Sequence, residues 1–224
     1  MKIIEPTVEL VDAINPADIY NKIELCGRVA HQSAPNGNPE QFIRMLIKKG
    51  HESVLEHVSL TFHIITDRAI QNELVRHRHC AFTVESTRFV KYGELTFIKP
   101  CFWDENEPSD SYDLWTDDED ATEFVKRPNK FNAWLQTMHG ICSVYRFLID
   151  NGATPEQARA ILPLCTKSEL YMTANLRQWR HFLKLRTDKA AHPQMRQIAN
   201  MILDIFKAKL PVIVEDIGGD TVER

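Results

Sequence analysis

Apolar residues recur along this chain with two different periods, and each period predicts an element. In VSLTFHIIT (58–66) they alternate, with Leu60, Phe62 and Ile64 on one side, as in a half-buried strand. KIIEPTVELVD (2–12) has the β-branched content of a strand, with Pro6 marking an edge or a bulge. From Pro16 to about His31 the spacing turns helical, through Ile19, Ile23, Cys26 and Val29 or Ala30. Asn38-Pro39 starts a second helix that ends near Gly50. Asp67 caps a third that runs to Arg78, with Ile70, Leu74 and Val75 toward the core and Arg68, Asn72 and Arg76 along another side. Residues 94–99 read as a strand, 129–151 as a helix closed by Asn151-Gly152, and Thr154-Pro155-Glu156 as the next helix start. LYMTA (170–174) is strand-like and leads into a helix through Leu185, and a last helix opens at Pro193 and runs to about Leu210. No internal repeat or flexible linker interrupts the pattern. The expectation is one α/β (α+β) domain over residues 1–224, with a small, mostly antiparallel sheet packed with helices.

Composition narrows the class. At 224 residues, 43% hydrophobic and 26% charged, the chain can bury a substantial core and has no apolar run long enough to span a bilayer. MKIIEPTVEL lacks a signal-peptide pattern, and five cysteines without a CxxC pair read as reduced thiols, so a cytoplasmic setting is expected. The net charge of −4 hides an asymmetry: residues 104–123 (DENEPSDSYDLWTDDEDATE) carry ten acids and no bases. Without them the chain holds 21 acids against 27 bases, a balance that suits anionic small ligands. The acidic stretch itself reads as a solvated excursion.

Four segments carry candidate chemistry. RHRHCAFTVESTR (76–88) concentrates Arg76, His77 and Arg78, then, through a breaker-poor loop containing Phe82, returns a hydroxyl at Ser86 and a guanidinium at Arg88. Guanidiniums bind phosphates and carbonyl-rich rings through paired donors, so this points to an anionic, planar ligand. Glu73 lies one turn before Arg76 and His77 and could orient either. HESVLEH (51–57) begins like a zinc-protease motif, but the second histidine that motif needs is Leu55, which excludes it. ARAILP (158–163) places Arg159 at a helix end, where a dipole partner is the ordinary reading. NLRQWRHFLKLR (175–186) carries Arg177, His181 and Arg186, which cannot all be buried without partners, and Asn175, which can read a ring edge.

Together, in order and separation, these blocks resemble the flavin-dependent thymidylate synthases: H-x-[ST]-x-x-E-H, RHR-x7-S, A-R-x-x-L-P and N-x-R…H-F-L-x-L-R. The resemblance implies FAD-dependent methylation of dUMP to dTMP, with methylenetetrahydrofolate as carbon donor and NADPH as reductant. It also implies a homotetramer with shared active sites. It puts Ser53, Arg76, His77, Arg78, Val84, Asn175, Leu176, Arg177 and His181 at flavin positions. Glu73, Leu74, Val75, Arg76, Val84, Glu85, Ser86, Thr87, Arg88, Arg159 and Arg186 fall at substrate positions, and Arg186 at the catalytic arginine. The chain departs from the family at Val84, where Gln or Glu is common, at Ala81 for a frequent serine, and at Phe89 for the usual tyrosine. Cys80 reads as a packing thiol, and Ser86 has no neighbouring base in a triad arrangement, so the implied chemistry needs no enzyme nucleophile.

Two other classes compete. A nucleic-acid binder would set Arg68, Arg76 and Arg78 along one helix against phosphates, but the interleaved Asp67, Glu73 and Glu85 and a pI near 6.1 oppose it. A metal hydrolase using His51, His57, His77, His79 and Cys80 lacks a compact ligand pair with a carboxylate, and the nearby arginines would repel a dication. No metal is expected.

Overall fold

The computed structural model describes residues 1–35, 37–104, 106 and 129–218. Most of the acidic excursion therefore lies outside the described residues. In chain order the first elements are β1 (Lys2–Ile4), β2 (Thr7–Leu10), α1 (Pro16–Arg28), α2 (Pro39–Lys48), β3 (Ser59–Asp67) and α3 (Arg68–Leu74). A 3-10 turn at Glu52–His57 precedes β3. Then come β4 (Ala81–Val84), β5 (Thr96–Ile98), α4 (Lys130–Asp150) and α5 (Pro155–Ala158). The chain continues through β6 (Lys167–Asn175), α6 (Leu176–Arg186), α7 (Pro193–Lys209) and α8 (Pro211–Val214). These elements fall into two compact units, one of Met1–Ile4 and Ser86–Thr166, the other of Glu5–Glu85 and Lys167–Arg224.

The larger unit is built on an antiparallel sheet of order β2-β3-β6-β4. The alternation in β3 buries Leu60, Phe62 and Ile64, and that in β6 buries Ser168, Leu170, Met172 and Ala174. Register pairs Phe62 with Met172 and Ile64 with Leu170, so both apolar sets share one face. Helices cover that face through Ile23, Trp179, Phe182, Ile198, Ile202 and Phe206. Trp179 adds direction to this packing, donating its indole N–H to the Leu60 carbonyl at 3.1 Å. The opposite face carries polar cross-strand pairs: Thr61 and Thr173 hydroxyls meet at 2.9 Å, and His63 stacks on Tyr171 at 4.8 Å.

The predicted caps form. Asn38 accepts from the Gln41 N–H, Asp67 from the Ile70 N–H at 2.7 Å, and Thr154 makes a reciprocal box with Gln157. The strand expected over 2–12 divides at Glu5-Pro6 into β1 and β2, as a proline at a bulge requires. Two expectations need correction. The third helix stops at Leu74, not Arg78, because the N–H groups of Arg76 and His77 bond three residues back and the chain turns toward β4. Residues 81–84, read as loop, form β4, pairing Phe82 with Met172 and Val84 with Leu170.

The smaller unit holds a two-stranded parallel pair, β1 beside β5, which the antiparallel expectation did not include. Phe97 is buried there among Leu95, Phe131, Trp134, Met138 and Tyr145, mostly from the long helix α4.

Candidate active site

The junction of β6 and α6 fixes the first group of side chains. Asn175 ends the strand and caps the helix, its Oδ1 accepting from the Gln178 N–H at 2.8 Å. Leu176 donates its N–H to the Val58 carbonyl at 2.9 Å and buries its side chain entirely. Helical spacing sends Trp179, Phe182 and Leu183 into the core and leaves Arg177, His181 and Lys184 exposed. With Glu52 and Glu56 of the 3-10 turn, and with His79, Asn175, Gln178 and Arg180, these three line an open cleft of about 690 Å³. Arg177 Nη1 meets Glu56 Oε1 at 2.5 Å. Three residues expected at flavin positions, Asn175, Arg177 and His181, thus converge on one cleft; Ser53 is exposed on the 3-10 turn but does not line it.

The Arg-His-Arg triplet sits in the turn after α3, with Arg76 and Arg78 exposed and His77 only 8% exposed. His77 Nε2 accepts a hydrogen bond from Arg186 Nε at 3.0 Å, and Arg186 Nη1 reaches Glu73 Oε2 at 3.5 Å. Glu73, expected to orient Arg76 or His77, is directed at Arg186 instead. Burial, followed by the nearby Arg186 and His181, holds the His77 imidazole down to a pKa of about 4, so the ring is neutral. With Nε2 as acceptor, its proton belongs on Nδ1. The ring packs edge-on against Phe182 at 5.0 Å. Arg186 Nη2 has no protein partner among the described residues. Leu74 is wholly buried, Val75 is half-buried, and Cys80 is pushed up to about 11 by burial, which makes it a neutral thiol.

Alternation along β4 decides the segment that follows. Phe82 and Val84 pack on the core, while Ala81 and Thr83 are exposed. Glu85 donates its N–H to the Glu169 carbonyl, and its carboxylate accepts from Lys167 Nζ at 2.8 Å. Lys167 also reaches Glu169 at 2.7 Å; burial alone would lower its pKa, but the two carboxylates raise it. The carboxylate at 85 is thus committed to Lys167 and does not stand in for a polar side chain at Val84.

Ser86, Thr87, Arg88 and Arg159 belong to the smaller unit. Ser86 Oγ accepts from the Arg88 N–H at 3.3 Å, Thr87 is buried, and Arg88 Nε meets Glu156 Oε1 at 3.0 Å. Arg159 follows three residues later, exposed, in a short 3-10 turn.

The stripe of Arg68, Arg76 and Arg78 is not a feature of one helix, because only Arg68 lies in α3. No three His, Cys, Asp or Glu side chains among the described residues are grouped to hold a metal ion. No helix among them is long and apolar enough to cross a membrane. Sequence reasoning missed Glu52, Glu56, His79, Gln178, Arg180 and Lys184 as cleft residues. The one local signal was the acidic pair in HESVLEH; nothing local marks Arg180 as buried.

Residues 9–212 match the family model described as thymidylate synthase complementing protein. The flavin-dependent thymidylate synthase of Corynebacterium efficiens is 32% identical over 206 residues, covering 89% of this chain and 80% of that protein. The enzyme of the same name from Corynebacterium aurimucosum is 30% identical, covering 87% and 78%. Among solved structures, a UMP/dUMP methylase, PolB, from Streptomyces cacaoi bound with 5-Br dUMP superposes with a TM-score of 0.70 at 26% identity, covering 95% of each chain.

Proposed function

The chain belongs to the flavin-dependent thymidylate synthase family, and from that premise we propose that it converts dUMP to dTMP with FAD as cofactor. Methylenetetrahydrofolate supplies the carbon and NADPH the reducing equivalents. The observation that carries this reading is Arg186, held by neutral His77 and by Glu73 with Nη2 left to a ligand.

The cleft beside α6 fits an anionic dinucleotide. Arg177, His181, Lys184 and His79 supply donors suited to a diphosphate, and Asn175 and Gln178 supply amides suited to a ring edge. FAD, when bound, supplies the hydride chemistry; the protein supplies orientation and charge. Arg76 and Arg78, exposed beside the His77 turn, add cationic donors.

On the substrate, the chemical problem is to make uracil C5 nucleophilic. Negative charge then develops on N3 and its adjacent carbonyls, and the Arg186 guanidinium answers it. Its orientation is set beforehand by His77 and Glu73, so it need not reorganise as the charge forms. Glu73, Leu74, Val75, Arg76, Val84 and Glu85 are the substrate-side residues of the larger unit in this reading. Ser86, Thr87 and Arg88 hold the nucleotide's phosphate and pyrimidine region, and Arg159 adds a further guanidinium. No protein nucleophile is required: the Cys80 thiol is un-ionised at neutral pH, and Ser86 Oγ is engaged with the Arg88 backbone.

We further read residues 1–224 as one functional domain, since the family match runs across both units. The homotetramer is supported by bare apolar side chains at the end of α1, where Leu25 and Val29, the residue just past the helix, are 64% and 72% exposed. Five cysteines without a CxxC pair suit a reducing, cytoplasmic setting.

The test is the absorbance of purified protein between 300 and 550 nm, with NADPH and with or without dUMP, followed by chromatography for dTMP once the folate is added. Flavin absorbance that bleaches faster with dUMP, and dTMP formed, support the reading. A colourless protein that takes up no FAD overturns it.

A further inference from the structure

Arg180 is the most deeply buried charge among the described residues, with a side chain 1% exposed, yet it borders the open cleft. Its Nε and Nη2 both donate to Glu52 Oε1, at 3.2 and 2.9 Å. Its other donors go to Asp216, Nη1 to Oδ1 at 2.7 Å and Nη2 to Oδ2 at 2.8 Å, and Nη1 also donates to the Ile213 carbonyl. Lys184 completes the cluster at 3.1 Å from Asp216. Every N–H direction of the fork is therefore used inside the protein, and Arg180 has no donor to offer a ligand. A buried guanidinium that faces two carboxylates must be doing something to them.

The consequence for the cleft is electrostatic. Glu52 and Glu56 are the two acids of its lining, and each is matched by an arginine, Glu56 by Arg177 and Glu52 by Arg180. Without Arg180, the Glu52 carboxylate would stand in the cleft wall as an uncompensated negative charge, opposite any phosphate that entered. The two acids of the cluster have separate jobs. Glu52 lies on the 3-10 turn that lines the cleft, whereas Asp216 follows α8 and does not line it. Burial alone would raise the Asp216 carboxyl, but Arg180 and Lys184 hold it at about 2, so this anchor stays ionised.

We propose that Arg180 is a positioning residue of the cofactor cleft: it draws the Glu52 carboxylate aside and neutralises it, so that the cleft presents Arg177, His181 and Lys184 to an anionic dinucleotide. The inference rests on the reading of this cleft as the FAD site.

The test is FAD affinity, by flavin fluorescence or equilibrium dialysis on full-length protein, measured beside the urea midpoint. R180M is expected to raise the FAD Kd by about tenfold, the cost of one poorly screened like charge. Adding E52Q to R180M should restore most of that affinity while the urea midpoint stays low, a recovery that a purely structural role would not give. D216N supplies a second arm in case R180M does not fold: it breaks the opposite side of the cluster and leaves Glu52 covered, so affinity should hold while stability falls. A Kd for R180M/E52Q as weak as for R180M, or D216N weakening FAD by about tenfold, overturns the inference with the site intact. Wild-type protein that binds no FAD overturns the functional reading and this inference with it.

Discussion

Protonating His77 should cost the fold a defined amount within a defined pH window. The ring is 8% exposed, and its Nε2 accepts from Arg186 Nε at 3.0 Å. A proton there would turn the acceptor into a donor and set two cations in contact. The sign follows from the two pKa values. The unfolded histidine titrates at 6.5 and the folded one at about 4, so between these values the unfolded chain binds the extra proton. Stability attributable to His77 is whole above pH 6.5 and declines as pH falls through the window, by up to about 1.4 kcal/mol per pH unit. The full loss is about 3 kcal/mol, most of it already incurred near pH 4.5. Other carboxylates and histidines titrate over the same range, so the comparison is with His77→Gln, whose amide oxygen can still accept from Arg186 but does not titrate. Urea denaturation of both proteins at a series of pH values isolates the difference, which should close or invert by roughly 2–3 kcal/mol as pH falls from about 7 to about 4.5. Parallel stability curves, or an NMR titration that places His77 above 6.5, would refute the argument that it is a buried neutral acceptor.

Three further outcomes follow from the geometry. Arg186→Ala should retain flavin and lose dTMP formation, and Arg186→Lys should not restore it, because an ammonium cannot bond His77 and Glu73 while offering a planar pair to the ring; turnover at the wild-type rate in either variant would sink the assignment. Arg177→Ala combined with His77→Ala should abolish FAD retention on gel filtration, and an unchanged flavin spectrum would count against the cleft. Gly27→Ala should cost about 1–3 kcal/mol by overpacking, since its Cβ would stand 2.7 Å from Phe42 Cε1, a ring already covered by Arg28 at 4.3 Å. A thermal midpoint equal to wild type would mean that Phe42 swings aside freely.

The chemistry of the chain was legible as residue types at fixed spacing, and so was whatever depends on bonds within a few residues. Asn38, Asp67 and Thr154 could be read as helix starts because the N–H groups they satisfy lie three residues away. The alternation in β3 could be read because one face of a strand must be apolar wherever it is covered. The His-Arg-rich blocks identified the family because ligand-binding side chains cannot be exchanged freely even where the scaffold drifts. Tertiary structure decided the rest. Residues 81–84 hold strand formers, but a run of four after a turn is too short to announce a strand by itself, and they extend because β6 offers an edge to pair with; α3 ends at Leu74, which leaves Arg76, His77 and Arg78 in a turn. Glu73 finds its partner 113 residues away in Arg186, and Arg180 finds Glu52 and Asp216 at separations of 128 and 36. Local hydrogen bonds are encoded within a helical turn, whereas the partner of a buried charge is chosen by whichever distant segment the core brings to it.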